Sequence, residues 1–366
     1  MLRSTLLALA LATTAAVSAQ QPDQPAMAPA LDAPPTVAPP PNAAQMQQDA
    51  ERVFTLFRHD LINLLILRAD GRLLTAAAQI AAPDQKDASR SAIKKTPELL
   101  KRARQFAPTD PLVLWVSASN ACLEAPGCAD PASLKTLQTV DADNAAVWLL
   151  SFPSDGNAEK ARGIVARMAQ AQRYDDYWAL DVVAIYHALE TLPVPSEVLS
   201  QGVSTEAARV NFATSIASAI LPKALQGLGK FCTGVDKQDT SLVSDCIAAA
   251  RKLESGGTFI SQGTGFGIEE ILLPAGVDRD VMQSRRRSAL WQKEQFFGLS
   301  NRFGREPALA QTYVRLLGSE QNELATVIAF LREQNLHTDP PGGWEPHMPK
   351  AADPLRDPAA PAATQQ

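Results

Sequence analysis

The chain has 366 residues, of which 46% are hydrophobic and 20% charged, with a formal charge of −5. That composition excludes a wholly disordered chain and supplies core material for one large or two medium domains. The acidic balance argues against a nucleic-acid binder, which needs a basic face.

The first nineteen residues read as a secretory signal peptide. Arg3 gives a positive start, Leu6 to Val17 an apolar run broken only by Thr13 and Thr14, and Val17-Ser18-Ala19 a small-residue cleavage site. Cleavage is expected after Ala19, placing the mature chain in the periplasm or outside the cell. The run is shorter than the roughly 20 residues of a membrane span, so no integral span is expected in the mature chain. No Cys follows it to carry a lipid.

Residues 20–45 hold 8 of the 27 prolines, and residues 339–366 hold 7 more. Such Ala/Pro-rich segments bury little and cannot sustain helices, so both are expected to be extended, disordered tails. The first has a sharper reading as a spacer or as the ligand of an aromatic groove, and a plainer one as a linker. Trp344 and His347 stand alone in the second and carry no assignment.

Residues 46–338 read as helix after helix. Strong helix formers dominate: alanine alone accounts for 61 residues of the chain. In the segment Met46 to Ala69, Val53, Phe54, Phe57, Leu61, Leu64 and Leu65 recur at helical spacing. Its stretch Leu61 to Leu67 is apolar all round except Asn63, which predicts a central helix. Asp110-Pro111 and Asp130-Pro131 each supply an N-cap followed by proline at the first helical position. Asp143 or Asn144 is positioned to cap another helix, and Ser204 a further one. Pro193-Val194-Pro195 divides the core into halves at 46–195 and 196–338. The fold class is all-α: antiparallel helical hairpins, TPR-like or an irregular bundle.

Trp115, Trp148 and Trp178 lie 33 and 30 residues apart, and Asp110-Pro-Leu-Val-Leu-Trp115 parallels Asp143-Asn-Ala-Ala-Val-Trp148. On these residues the stretch 108–190 resembles tetratricopeptide-like helical repeats, with Asp141 to Tyr174 as one unit and Ala161 and Met168 in its second helix. It departs from that pattern after the tryptophans, where Ser151-Phe152 and Ala118-Ser119 stand. The chain also resembles exported Gram-negative bacterial proteins of unknown function that share a Cys-rich turn before an Asn-Ala-Ala-x-Trp helix. That resemblance implies no activity.

Four cysteines suit an oxidising compartment. Local disulfides are expected, Cys122 with Cys128 and Cys232 with Cys246, the second closing a helical hairpin. Spacings of Cys-x5-Cys and Cys-x13-Cys fit neither zinc nor C-x-x-C chemistry. With no HExxH or G-x-S-x-G, neither metal nor catalytic residues are assigned, and no cofactor is expected.

Two stretches invite a functional reading. Residues 256–267 are glycine-rich, and Gly263-x-Gly265-x-Gly267 resembles half a dinucleotide fingerprint but lacks the βαβ context. The plain reading is close helix packing plus a turn. The sharp one is a cleft whose Glu269 or Glu270 serves an envelope hydrolase, with Asp278 or Asp280 as a distant partner. Further on, Arg285-Arg286-Arg287 with Trp291 forms a basic, aromatic helix face, read either as a partner surface or as solvated charge paired with Asp278, Asp280 and Glu294. Tyr174-Asp175-Asp176-Tyr177-Trp178 reads as a stacking platform or as a capped helix start. The expected function is a non-enzymatic scaffold or protein-binding module in the cell envelope, with an envelope protein as partner.

Overall fold

The computed structural model describes residues 43–82, 90–124, 130–199, 203–219 and 224–346. Among the described residues there are fifteen α-helices and no strand. The signal segment and most of both tails lie outside them. So does the Cys122–Cys128 pairing, through Cys128 and the Cys122 side chain.

Helix α1 (Ala43–Ile66) packs against α2 (Gly71–Ala81), α8 (Trp178–Leu189) and a 3-10 turn at Ser196–Val198. It buries Phe57, Leu61, Ile62 and Leu65 but leaves Leu56 and Leu64 exposed, as is Leu67 just past its end, so it lies at an edge and not at the centre. The central helix is α2. It contacts α1, α3 (Arg90–Phe106), α4 (Pro111–Glu124) and α8, and it buries every residue from Leu74 to Ala81. Ala76, Ala77 and Ala78 permit this, because neighbouring helices approach closely only over small side chains. A Cβ at Gly71 would sit 2.6 Å from the Ala107 Cβ.

The caps read from the sequence are in place. Asp110 accepts from the N–H groups of Leu112 and Val113 at the start of α4. Asp130 caps α5 (Pro131–Val140). Asn144 caps α6 (Ala145–Leu149), and Ser204 caps α9 (Thr205–Ser218). Helix α6, which carries Trp148, is only five residues long, shorter than the repeat resemblance implies. It is followed by α7 (Ala158–Gln170), where Ala161 and Met168 are buried. Asn144 is itself fully buried: its side-chain N–H2 donates to the Asp175 carbonyl (2.8 Å) and Asp141 (2.9 Å). It thereby ties the turn before α8 to the turn before α6.

One contiguous core runs from Phe57 to Leu331 and continues across the Pro193–Pro195 break. In the second half, α10 (Ala224–Thr233) and α11 (Thr240–Glu254) are joined by the Cys232–Cys246 disulfide (S–S 2.07 Å, Cα–Cα 5.7 Å). Closing a loop of this size stabilises by about 3 kcal/mol in the chain-entropy description. Helices α12 (Phe259–Leu272), α13 (Val277–Ser300), α14 (Pro307–Glu320) and α15 (Glu323–Glu333) complete the fold. Phe296 and Phe303 pack with Tyr313 and Phe330 in an aromatic cluster where α13, α14 and α15 meet. Phe266, Leu273, Met282 and Ala289 make a separate small core between α12 and α13.

Candidate functional site

The basic run and Trp291 lie on α13, a 24-residue helix that buries only Met282, Ala289, Phe296 and Leu299. Asp278 and Asp280 occupy its first turn, where negative charge complements the helix dipole. The three consecutive arginines point about 100° apart and meet different acceptors.

Arg285 reaches inward to two glutamates. Its Nε donates to Glu254 (3.0 Å) and its Nη2 to Glu269 (2.7 Å), while Arg251 Nε donates to the other oxygen of Glu269 (2.8 Å). Glu269 is fully buried and Glu254 nearly so. Gly265 makes this possible, since a Cβ there would lie 2.5 Å from the Ala250 carbonyl and 2.9 Å from Glu254 Cγ. Burial and the adjacent Glu269 push the Glu254 carboxyl well up. Burial also acts on Glu269, but hydrogen bonds from Glu254 and Arg251 and the charge of Arg285 outweigh it and hold its carboxyl below the ordinary range. Glu254 Oε1 is buried and has no hydrogen-bond partner, and the raised carboxyl favours the neutral form beside Glu269. The result is a pair of buried glutamates held by Arg285, with Arg251 on Glu269 as well.

That arrangement determines what the glutamates can do. A general acid needs a proton and an approach for substrate. Glu269 is ionised and enclosed, and a surface depression of about 360 Å³ that touches Arg251 and Asp278 is lined by neither Glu269 nor Glu270. Glu270 pairs with Arg286 at the surface, both side chains roughly half exposed. Such a pair contributes little, on the order of 0–1 kcal/mol. The glycine-rich stretch is mostly helix α12, capped by Thr258 and Ser261 in a reciprocal box, which agrees with close packing.

Among the described residues, Arg287, Trp291 and Gln292 hydrogen-bond main-chain carbonyls and pair with no carboxylate. They hold the segment that follows α15. A left-handed Asn335 (φ 56°) turns the chain back across α13. Trp291 Nε1 donates to the His337 carbonyl (2.9 Å) and Gln292 Nε2 to that of Thr338 (3.1 Å). Arg287 donates through Nη2 to the Pro341 carbonyl (2.9 Å) and through Nε to that of Trp344 (3.0 Å). Between those two carbonyls the chain makes a turn closed by Trp344 N–H to Pro341 C=O (3.2 Å). Gly343 sits at φ 77°, the third-position conformation that glycine supplies in a type II turn. The Trp344 ring packs edge-on against Trp291, with centroids 5.3 Å apart. Residues 337–344, including the first six of the predicted disordered tail, therefore form a strap over α13.

The strap is lightly held. No residue from 335 to 346 is fully buried. Four side-chain to main-chain hydrogen bonds contribute about 1 kcal/mol each, and the tryptophan pair about 1 kcal/mol. Ordering eight residues costs a comparable or larger sum, at about 1 kcal/mol or more apiece.

The other predicted platform is internal. Tyr174, Tyr177 and Trp178 are buried, so their rings offer no stacking surface. Asp176 accepts from Thr258 Oγ1 (3.2 Å), and Glu323 accepts from the Phe259 N–H (2.8 Å). Burial pushes both carboxyls up to about 7, with the neighbouring Asp175 charge adding to the effect on Asp176. Burial likewise brings Asp181 to about 7, on the Gln79 amide (2.6 Å).

Among the described residues no three His, Cys, Asp or Glu side chains converge as a metal site requires, and no helix is long and apolar enough to cross a membrane. Sequence reading singled out Arg287 and Trp291 but missed Gln292, Trp344 and the strap. A signal for the strap was present in Pro340-Pro341-Gly342-Gly343-Trp344, which combines an extended dipeptide, a turn and an anchor. Comparison with protein-family models, with curated proteins and with solved structures finds no match.

Proposed function

We propose that the chain is an exported, non-enzymatic helical scaffold that binds a polypeptide partner in the cell envelope. The signal-like first nineteen residues support export to the periplasm or beyond. One observation carries the binding reading: side chains of a single helix, α13, hold an irregular polypeptide segment through its main-chain carbonyls. Peptide-binding surfaces use the same means, a row of side-chain donors beside an aromatic wall. Arg285 and Arg286 are paired instead with Glu254, Glu269 and Glu270.

The test is photocrosslinking in living cells. A photoreactive amino acid replaces Gly298, which is exposed on α13 and has open space where its Cβ would stand. The same amino acid at the exposed Leu67, just past the end of α1, serves as control. A saturable adduct from position 298 that disappears with Arg287→Ala supports the reading. Equal capture from both positions, or none, overturns it.

A further inference from the structure

We propose that the α13 face of Arg287, Trp291 and Gln292 is a binding site for a proline-containing, turn-forming segment of a partner protein, and that the chain's own strap occupies it in competition. This rests on the partner-binding reading above and specifies its ligand.

Three observations carry it. First, the face selects for backbone. All four donors are side-chain N–H groups and all four acceptors are main-chain carbonyls, of His337, Thr338, Pro341 and Trp344. They belong to a segment without helix or strand, bent at Thr338 and Asp339 and turned at Pro341–Trp344, in which Pro340 and Pro341 restrict the backbone because proline fixes φ and has no N–H of its own. The seated strap is thus a sample of the ligand chemistry.

Second, the strap is an imperfect occupant. The Trp344 indole N–H is buried without an acceptor, although Trp291 beside it has one. A buried donor left unpaired weakens the complex that contains it. A phenyl ring in the same place would keep the edge-on contact with Trp291 and leave no orphan. A partner with an aromatic or aliphatic side chain there, and no buried donor, outcompetes the strap.

Third, the strap can leave. It contains no helix, strand or fully buried residue, and it joins α15 through the left-handed Asn335. Removing it would uncover Trp291 while leaving the α13–α14–α15 aromatic cluster intact.

The test uses the full-length chain and a labelled peptide of residues 336–346 carrying Trp344→Phe, followed by fluorescence anisotropy. Saturable binding is expected. It should tighten at least tenfold when Trp344→Ala in the protein weakens the competitor, and weaken at least tenfold when Arg287→Ala and Trp291→Phe are added. Trp291→Phe keeps most of the ring and removes the donor, and an unchanged melting curve verifies the fold; if that variant melts early, Gln292→Ala takes its place. Affinity indifferent to the strap or to these donors overturns the proposal, as does an equally tight peptide with both prolines changed to alanine. Tighter binding by a peptide of residues 20–42 reassigns the face to the chain's own first tail. Dimerisation abolished by Arg287→Ala reassigns it to a second copy. Both outcomes overturn the partner assignment. If the peptide fails while in-cell crosslinking from position 298 persists, the ligand class falls and the scaffold reading stands; if both fail, both fall.

Discussion

Arg285 and Arg287 are two residues apart on one helix and do opposite work. Arg285 is bound to buried carboxylates in the α11–α12–α13 junction, and Arg287 to neutral peptide carbonyls at the surface. A guanidinium on a buried carboxylate cannot leave without stranding charge. The same group on a carbonyl gives up a bond that water replaces at little cost. The difference lies entirely in the acceptors, so a basic run in sequence does not by itself mark a binding face.

The largest expected effect separates the two regions by pH. Asp176, Asp181 and Glu323 have folded pKa values near 7, raised by burial. Their unfolded values lie near 4, so between about pH 4 and 7 the folded state binds the extra protons. The stability they contribute is present at low pH and is lost as pH rises through that window, by up to about 1.4 kcal/mol per pH unit for each group. Glu269 is depressed and has the opposite sign, acting only at more acidic pH. Denaturant melts at pH 5 and pH 7 should show the decline, and Asp181→Asn should flatten it. The strap's four acceptors are carbonyls that do not titrate, so its hydrogen-exchange protection, corrected for intrinsic rates, should not follow the same curve.

Within the junction the two glutamates are expected to be unequal. Glu269→Gln removes the one charge that both arginines face and should cost about 2–3 kcal/mol, toward the low end for buried pairs because Arg251 and Arg285 are each about half exposed. Glu254→Gln replaces a carboxyl whose neutral form burial favours by a neutral amide that keeps an acceptor for Arg285, and should cost under about 1 kcal/mol. Equal losses in chemical denaturation would mean that the proton is not held on Glu254.

The glycines of α12 sharpen this further. At Gly265 an added Cβ meets the Ala250 backbone carbonyl at 2.5 Å, which cannot rotate away. The overpacking penalty of about 1–3 kcal/mol exceeds the helix-propensity gain of up to about 1 kcal/mol, so Gly265→Ala should destabilise by about 1–2 kcal/mol. Gly263 has open space around its missing Cβ, so Gly263→Ala should stabilise by roughly 0.5–1 kcal/mol. Thermal melts of the two variants should shift in opposite directions.

Much of the fold was legible because its determinants are local. Asp110-Pro111, Asp130-Pro131, Asn144 and Ser204 start helices where their side chains cap them, and Cys232 and Cys246 pair across one hairpin. The placement of α1 was not legible, because an apolar stretch cannot say how many helices surround it. Alanines at 76–78 make α2 the centre by being small, a property that hydrophobic periodicity discounts. The site was legible only in part for the same reason. Arg287 and Trp291 stand out in sequence, whereas their acceptors lie 46 to 57 residues later in a proline-rich segment whose composition predicts no fixed place.

The smallest expected effect is at Arg287, and its smallness distinguishes the strap from the junction. Arg287→Ala removes two bonds to the strap and, among the described residues, no carboxylate partner, so global stability should change by less than about 1 kcal/mol. The local effect should be concentrated: amide exchange in residues 337–344 should rise several-fold, while the amides of α12 and α15 keep their protection. A global loss comparable to that of Glu269→Gln would mean that the strap is part of the folded core. It would then be no displaceable occupant, and the contrast between neighbouring arginines would collapse.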